Sequence, residues 1–230
     1  MPAVGGSGEV SVAHHPMARM ADGGRLSFSP KKFAATPQTS LEPDPVRGTY
    51  LFAYPAQTDD LTRLPDRNGG TMDLTIYRAE DRREDFVSLV EAAHGGPGWT
   101  ALARNAECDL LLVLKNPAEL PITMLWFSNG GRDYAPWNGR HLGVLGIEDG
   151  RAYPGHAASI GDNVLKRQGV PTSFVLDEGG EISFRHVIGA LPLSDGIMPP
   201  TRIDHAVTTL TAVFADGKPI EVPFDGSYLA

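Results

Sequence analysis

Residues 109–150 read DLLLVLKNPAELPITMLWFSNGGRDYAPWNGRHLGVLGIEDG, and this stretch decides the fold class. It contains three apolar runs, 109–115, 122–128 and 142–148, built mainly from Leu, Val, Ile and aromatic residues. Segments rich in Asn, Pro and Gly separate the runs. Runs of this length and composition, bounded by residues that favour turns, predict β-strands rather than helices.

The same alternation of short runs and turn residues continues in both directions along the chain. The 26 Gly and 19 Pro among 230 residues are spread between the runs and do not collect in one linker. This spacing is typical of an all-β sandwich or barrel, and we expect a single domain over residues 1–230. Candidate strands cover residues 9–15, 25–29, 49–54, 72–77, 85–92, 99–104, 109–115, 122–128, 142–148, 172–177, 181–189, 205–215 and 218–224.

Other segments carry different local signals. Residues 81–93 have helical as well as strand spacing, and residues 159–169 predict one helical turn that ends at Gly169. Residues 26–50 contain four prolines and predict a long surface loop. Residues 176–182 and 214–220 each place a Gly-containing turn between apolar runs, which predicts two hairpins.

Composition and charge narrow the classes of partner. The 20 Lys and Arg against 28 Asp and Glu give a net charge of −8, without basic clusters, so we expect neither a nucleic-acid nor a membrane partner. No apolar run approaches the ~18 residues of a membrane span. The first residues lack the basic and apolar regions of a secretory signal, so we expect a cytoplasmic protein.

The single cysteine and the histidines give no metal-binding pattern. Cys108 precedes an apolar run, which predicts a buried free thiol. The histidines show neither HxH nor HExxH spacing, so we expect no metal site. A metal bound by His14 or His15 together with Glu148 is the alternative that remains.

Strand alternation sorts the candidate catalytic residues. Along residues 144–148, Leu145 and Ile147 share one face, whereas Glu148 lies on the other, beside Gly146, which leaves room for a ligand. The first candidate strand divides into Val10, Val12 and His14 on one face and Ser11, Ala13 and His15 on the other. The two histidines therefore cannot both serve one site.

A carboxylate and an imidazole on such faces suit a general base and a general acid. The alternatives are a solvated carboxylate at the end of a strand and histidines that are hydrogen-bonded for structure alone.

Residues 129–140 carry groups that suit a polyol. Amides and guanidinium groups hydrogen-bond hydroxyls, and an indole offers a flat apolar surface to a sugar ring. The candidate substrate-binding residues here are Asn129, Arg132, Trp137, Asn138 and Arg140. A Gly-rich and Pro-rich loop with Trp137 as its packing anchor is the alternative.

Three segments, VAHHPMARM (12–20), LLLVLKNPAELPITMLWFSNG (110–130) and GVLGIEDG (143–150), together resemble the bacterial aldose 1-epimerase, or galactose mutarotase-like, superfamily. Members carry an NHxYFNL-type strand, a hairpin, and a late strand with a catalytic glutamate. The resemblance runs over most of the chain from Glu9 onward and implies a β-supersandwich of two large twisted antiparallel sheets.

By position, the resemblance makes His15 the acid for the ring oxygen and Glu148 the base for the anomeric hydroxyl. His14 stands where the family has asparagine, so the resemblance makes it a candidate substrate-binding residue, with packing alone as the alternative. Asp85, with Glu84 as its competitor, falls nearest to an acidic substrate-binding position. The implied function is a cofactor-free carbohydrate epimerase that acts on a small-molecule hexose or hexose phosphate. The alternatives are a non-catalytic sugar-binding protein and a metal-dependent isomerase or lyase on a β-sandwich.

Two departures from the family pattern affect these expectations. The family has a substantial segment before its NHxYF strand, and this chain has about a dozen residues there, so we expect part of the family's N-terminal segment to be missing. Met17, Ala18 and Arg19 also replace the YFN residues, so the family's ligand contacts do not transfer. A sheet edge left open by the missing strands predicts a homodimer.

Overall fold

The computed structural model describes residues 5–42, 47–194 and 198–229. Most of its regular structure is strand in antiparallel sheets, which confirms an all-β sandwich. Two short helices, α1 (His156–Ile160) and α2 (Val164–Arg167), and a 3₁₀ turn (Gly226–Leu229) complete it. The strands are β1 (Gly8–Val10), β2 (Val12–Ala13), β3 (Met17–Arg19), β4 (Gly24–Phe28), β5 (Lys31–Ala35), β6 (Gln57–Thr58), β7 (Leu64–Pro65), β8 (Thr71–Met72), β9 (Ile76–Tyr77), β10 (Arg83–Glu91), β11 (Gly98–Arg104), β12 (Asp109–Lys115), β13 (Ile122–Asn129), β14 (Val144–Arg151), β15 (Phe174–Leu176), β16 (His186–Pro192), β17 (Arg202–His205), β18 (Thr209–Val213) and β19 (Pro219–Pro223).

Two sheets pack face to face around the central core. The main sheet has the order β2, β14, β13, β10, β5, β6, with β3 also paired to β14, and the second sheet has the order β16, β12, β11, β4, β9. Alternate residues of the main sheet, such as Val87, Leu125 and Ile147, contact Leu102 and Val113 of the second sheet. We call this side of the main sheet its inner face and the opposite side its outer face.

Further layers cover the outsides of both sheets. A third sheet of β17, β18 and β19 packs on the second sheet, where Phe214 and Leu210 contact Trp99. The segment that contains α1 and α2 packs on part of the outer face of the main sheet through Leu165 and Val170. The rest of the outer face beside this segment stays open.

Residues 81–93 form a strand, not a helix. The strand β10 lies between β13 and β5, and side chains on both of its faces are buried, so its apolar residues do not alternate strictly with polar ones. The turn predicted at 159–169 is confirmed in α2, where the Asn163 side chain accepts hydrogen bonds from the backbone N–H groups of Leu165 and Lys166. Gly169 then takes a φ of 78°.

Two loop and strand predictions are wrong. Residues 26–50 are not one surface loop, because Phe33, Ala34 and Ala35 of β5 are buried and pair with β10. Residues 43–46 of this predicted loop lie outside the described residues. Residues 49–54 form no strand and make only an isolated bridge from Phe52 to Asp66 within the described chain.

The two hairpin predictions have different outcomes. The hairpin at 214–220 is confirmed, since β18 pairs with β19 around Gly217. The hairpin at 176–182 is wrong, because β15 pairs with β1 and β16 pairs with β12.

Cys108 is exposed, which corrects the prediction of a buried thiol. It occupies the turn before β12 with a φ of 51°, and continuous burial of the apolar run begins only beyond it. None of the helices in the described ranges has the length and apolar character needed to cross a membrane.

Candidate functional site

A cleft of about 500 Å³ opens on the outer face of the main sheet, a volume within the range of small-molecule sites. Its floor comes from three neighbouring strands, β10, β13 and β14, which supply Phe86, Met124, Trp126 and Glu148. The α1 segment forms one wall. The walls include Ser11, Val12, Ala13, His15, Leu41, Arg132, Tyr153, His156 and Ser159.

Register places Glu148 on the β14 side of this floor, next to the middle strand β13. Glu148 lies opposite Met124, and Gly146 lies opposite Trp126. A Cβ at Gly146 would lie 3.1 Å from the Cβ of Trp126 and 3.4 Å from Glu148 Oε1, so the glycine keeps this part of the floor open. Ile147 points into the core, which confirms the predicted division of faces.

A break between β2 and β3 brings His15 to Glu148. Pro16 lacks an N–H, and the strand is interrupted around it. The backbone N–H of His14 donates to the Asp149 carbonyl oxygen at 2.9 Å, and that of Ile147 donates to the Pro16 carbonyl oxygen at 2.9 Å. These bonds hold His15 beside β14, with its Nε2 3.4 Å from Glu148 Oε1. The structure thus brings the two predicted catalytic side chains together.

Electrostatics in the cleft favour a base that can exchange a proton. Burial raises the pKa of Glu148 above its ordinary value, and the neighbouring His15 opposes this rise. The Glu148 side chain is 12% exposed, whereas that of His15 is 49% exposed. A carboxyl group with a raised pKa is a stronger base than a free one, which suits proton abstraction near neutral pH.

His14 lies away from the cleft, as the alternation rule predicts. Its ring stacks on that of His186, with the centroids 4.3 Å apart. Burial and the nearby His186 lower the pKa of His14, while Asp149 opposes them. The structure therefore does not bring His14 to the cleft, and the packing alternative describes it better than the substrate contact that the resemblance implied.

Arg132 is the residue of the 129–140 segment that does line the cleft. Its Nε donates to Glu42 Oε1 at 2.6 Å, and its Nη1 lies 3.8 Å from Glu84 Oε1. Glu84 also accepts a hydrogen bond from Trp126 Nε1 at 2.7 Å. Glu84 therefore lies between the two side chains, hydrogen-bonded to the indole of the cleft floor and in a longer ion-pair contact with Arg132.

Asp85, the first choice for an acidic substrate contact, is fully buried on the inner face. Its carboxylate accepts hydrogen bonds from the backbone N–H groups of Leu51 and Phe52 and from the hydroxyl of Tyr54. These bonds anchor the segment around residue 52. The structure does not bring Asp85 to the cleft, and its competitor Glu84 lies on the outer face beside the floor.

Asn129 also has structural partners. Its Nδ2 donates to the carbonyl oxygens of Ala79 and Asp81, and its Oδ1 accepts from the backbone N–H of Gly143. It is 3% exposed and does not line the cleft. Its amide joins the ends of a loop and is not free for a ligand.

Trp137, Asn138 and Arg140 form a compact turn outside the cleft. Asn138 has a φ of 48°, and Arg140 donates from Nη2 to the Pro136 carbonyl oxygen at 2.9 Å. The ring centroid of Trp137 lies 5.1 Å from the guanidinium carbon of Arg132, and Trp137 is 40% exposed. The interpretation of this segment as a Gly-rich and Pro-rich loop therefore describes these three residues better than its interpretation as a polyol-binding segment.

Sequence reasoning missed several cleft residues. Trp126 and Met124 could have been found, because alternation along β13 places both side chains on one face of the strand. This is the face that Glu148 shares in the neighbouring strand β14. Ser11 shares the predicted face of His15, and its Oγ lies 3.3 Å from His156 Nδ1. His156 had no sequence signal, because the packing of the α1 segment brings it to the cleft.

Among the described residues, no group of three or more His, Cys, Asp or Glu side chains could hold a metal ion. Comparison of the chain with protein-family models, curated proteins and solved structures found no match.

Proposed function

We propose that the protein is a carbohydrate epimerase of the mutarotase type, which interconverts the anomers of a hexose by acid/base ring opening. The observation that carries this proposal is the contact of His15 Nε2 with Glu148 Oε1 at 3.4 Å on the floor of an open cleft. The pair supplies a general base and a general acid at one point.

The mechanism uses this proximity directly. The Glu148 carboxylate removes the proton from the anomeric hydroxyl, and protonated His15 gives its proton to the ring oxygen. The bond from the anomeric carbon to the ring oxygen breaks as a carbonyl forms. Rotation about the bond between the first two carbons and closure on the other face of the carbonyl give the other anomer and restore both groups. The two oxygens are bonded to one carbon, so an adjacent acid and base can reach both.

The lining of the cleft suits a sugar ring. Trp126 and Phe86 offer apolar surface to the C–H face of the ring. Ser11, Tyr153 and His156 carry polar groups that can hydrogen-bond its hydroxyls. This combination of apolar floor and polar wall is typical of small-molecule sites.

Exchange spectroscopy between α and β anomers tests the proposal. The wild type is expected to accelerate exchange of at least one hexose or hexose 6-phosphate in a panel, and Glu148→Gln to lower that rate by ~10²–10⁴-fold. Glu80→Gln, a substitution at an exposed site, serves as the matched control and should keep the wild-type rate.

Other outcomes would identify the competing functions. Sugar binding without enhanced exchange in the wild type would indicate a binding protein. Loss of activity on chelation and its recovery with added metal would indicate a metal-dependent isomerase or lyase. A loss of exchange in Glu80→Gln equal to that in Glu148→Gln would remove Glu148 from the catalytic role.

A further inference from the structure

Arg132 is the one Lys or Arg side chain among the described residues that line the cleft. A phosphate group on a sugar is recognised by cationic side chains with free donors, most effectively by the fork of a guanidinium. Whether the cleft accepts a phosphorylated sugar therefore depends on whether Arg132 is free to bind an anion.

Two carboxylates of the protein already oppose the charge of Arg132. Glu42 accepts its Nε hydrogen bond at 2.6 Å, and Glu84 Oε1 lies 3.8 Å from its Nη1. Both carboxylate residues are buried, with 6% and 1% exposure. Glu42 is itself fixed by the hydroxyl of Tyr134, which donates to its Oε2 at 2.6 Å.

Aromatic rings occupy the surroundings of the guanidinium. Its carbon lies 5.4 Å from the centroid of Trp126 and 5.1 Å from that of Trp137, and the Arg132 side chain is 20% exposed. Cation–π contacts of this kind hold a guanidinium in place. Arg132 is thus a fixed structural cation of the wall, with part of its donor set committed to protein acceptors.

The remaining charge in the cleft also opposes an anion. Glu148 is the carboxyl group that lines the cleft, while Glu42 and Glu84 lie behind the wall beside the single guanidinium of Arg132. Burial raises the pKa of Glu84 and of Glu148, and the neighbouring Arg132 opposes this rise at Glu84. His15 and His156 are the other ionisable cleft groups that can carry positive charge. A phosphate dianion would meet one guanidinium that is already hydrogen-bonded to Glu42, and each ionised carboxyl group nearby would repel it. Partial burial weakens the screening of that repulsion.

We infer that the cleft takes the uncharged, unphosphorylated form of its sugar, and that Glu42 and Glu84 set this preference by neutralising Arg132. This inference rests on the proposed function, since the sugar is the substrate of that reaction.

Anomer exchange measured side by side for free hexoses and their 6-phosphates tests it. The wild type is expected to favour the free sugar in kcat/KM by at least ~10-fold, because like charges in a partly buried site are strongly unfavourable. Glu42→Gln combined with Glu84→Gln releases Arg132 and should reduce this ratio by about 10-fold. Asp133→Asn, which removes the same charge from an exposed neighbouring position, should leave the ratio unchanged.

The two single variants, Glu42→Gln and Glu84→Gln, replace the double variant if it does not fold, and each should shift the ratio in the same direction. A wild-type preference for the 6-phosphate, or a ratio that none of these variants changes, would overturn the inference and leave the epimerase proposal standing.

Absence of exchange with every sugar would overturn the epimerase proposal instead. Saturation-transfer NMR with the same free and phosphorylated sugars then tests the preference for the unphosphorylated sugar through binding, without any need for activity. Binding of only the free sugar supports it, whereas binding of the 6-phosphate, or of neither, contradicts it.

Discussion

Glu148 and Asp149 are neighbours in β14, and the two faces of the main sheet give them opposite surroundings. Glu148 faces the cleft, where burial raises its pKa and the single imidazole of His15 opposes that rise. Asp149 faces the core, where Lys115 Nζ lies 2.8 Å away and His186 Nε2 3.0 Å away. Burial would also raise the pKa of Asp149, but these partners and Thr123 hold it well below its ordinary value.

The difference shows that the number of partners, and not the depth of burial, decides the ionisation of a carboxyl group here. Asp149 is the more deeply buried residue, at 1% exposure against 9% for Glu148, yet it is the more strongly held as an anion. A buried carboxylate stays ionised when hydrogen-bond donors and cations compensate for its lost hydration. The inner face therefore holds a fixed ion network, and the outer face holds a carboxyl group able to change its protonation.

The largest effect that separates the two residues is on stability. Asp149→Asn leaves the buried Lys115 with Glu91 as its remaining anion, and we expect a loss of about 3 kcal/mol in the free energy of unfolding. Glu148→Gln removes an ion that burial disfavours, so the unfolding free energy at neutral pH should stay equal or rise. Urea unfolding of both variants at pH 7 measures this.

The pH dependence of the Asp149 contribution has a defined sign. Its folded-state pKa is depressed, so its stabilisation is complete above its unfolded pKa of about 3.9 and is lost as the pH falls further. Equal destabilisation by Asp149→Asn and Glu148→Gln at pH 7 would contradict the proposed difference between the inner and outer faces.

A second, smaller effect concerns Lys31 in the same ion network. Lys31 contacts Glu91, and burial lowers its pKa to about 8, against the attraction of that glutamate. The unfolded chain keeps this proton up to about pH 10.4, so folding releases a proton between the two values and stability rises with pH.

Between pH 8 and 10 the wild type should gain about 2 kcal/mol relative to Lys31→Met, as measured by urea unfolding at each pH. Parallel curves for the two proteins over this interval would show that Lys31 ionises as it does in the unfolded chain.

The imidazole of His15 is the one that contacts Glu148 among the described residues, so its removal tests the cleft carboxyl group directly. Because His15 lowers the pKa of Glu148, His15→Asn should raise that pKa further. Titration of the Glu148 side-chain carboxyl carbon by NMR in wild type and variant measures the change without requiring activity. An unchanged or lower pKa in His15→Asn would mean that the imidazole does not act on the carboxylate.

The smallest expected effect distinguishes the cleft wall from the adjacent turn. Within the described part of the chain, the Arg140 side chain hydrogen-bonds to the turn that contains Trp137, so Arg140→Ala should change kcat/KM for the best sugar by no more than about two-fold. Arg132→Ala removes a wall side chain with charged hydrogen-bond partners and should lower it by about 10-fold. A larger loss in Arg140→Ala than in Arg132→Ala would restore the turn as a ligand-binding segment.

Strand alternation explains how much of the site could be predicted from the sequence. Applied to β14 and to the β1–β2 region, it correctly separated Glu148 from Ile147 and His15 from His14. Applied to β10, it would have placed Glu84 on the outer face with Trp126 and Asp85 on the inner face. Asp85 was instead chosen by position in a family pattern, which carries no information about faces.

The rest depended on contacts between distant segments. Asn129 and Arg140 have the chemistry of ligand-binding residues, but backbone groups of the folded loop satisfy them, and composition does not reveal which polar groups will be used in this way. His156 reaches the cleft only through the packing of α1. In the fold, β5 escaped prediction because prolines on both sides of a short buried run resemble a loop.

The exposed position of Cys108 has a practical consequence for solution work. Because it is the single cysteine of the chain, one maleimide dye or spin label attaches to the wild-type protein at a known turn, without prior mutation. The same thiol can link two copies through a disulfide when the protein is stored in air. Such a covalent pair would mimic the homodimer expected from the sequence, so particle size has to be compared with and without a reducing agent.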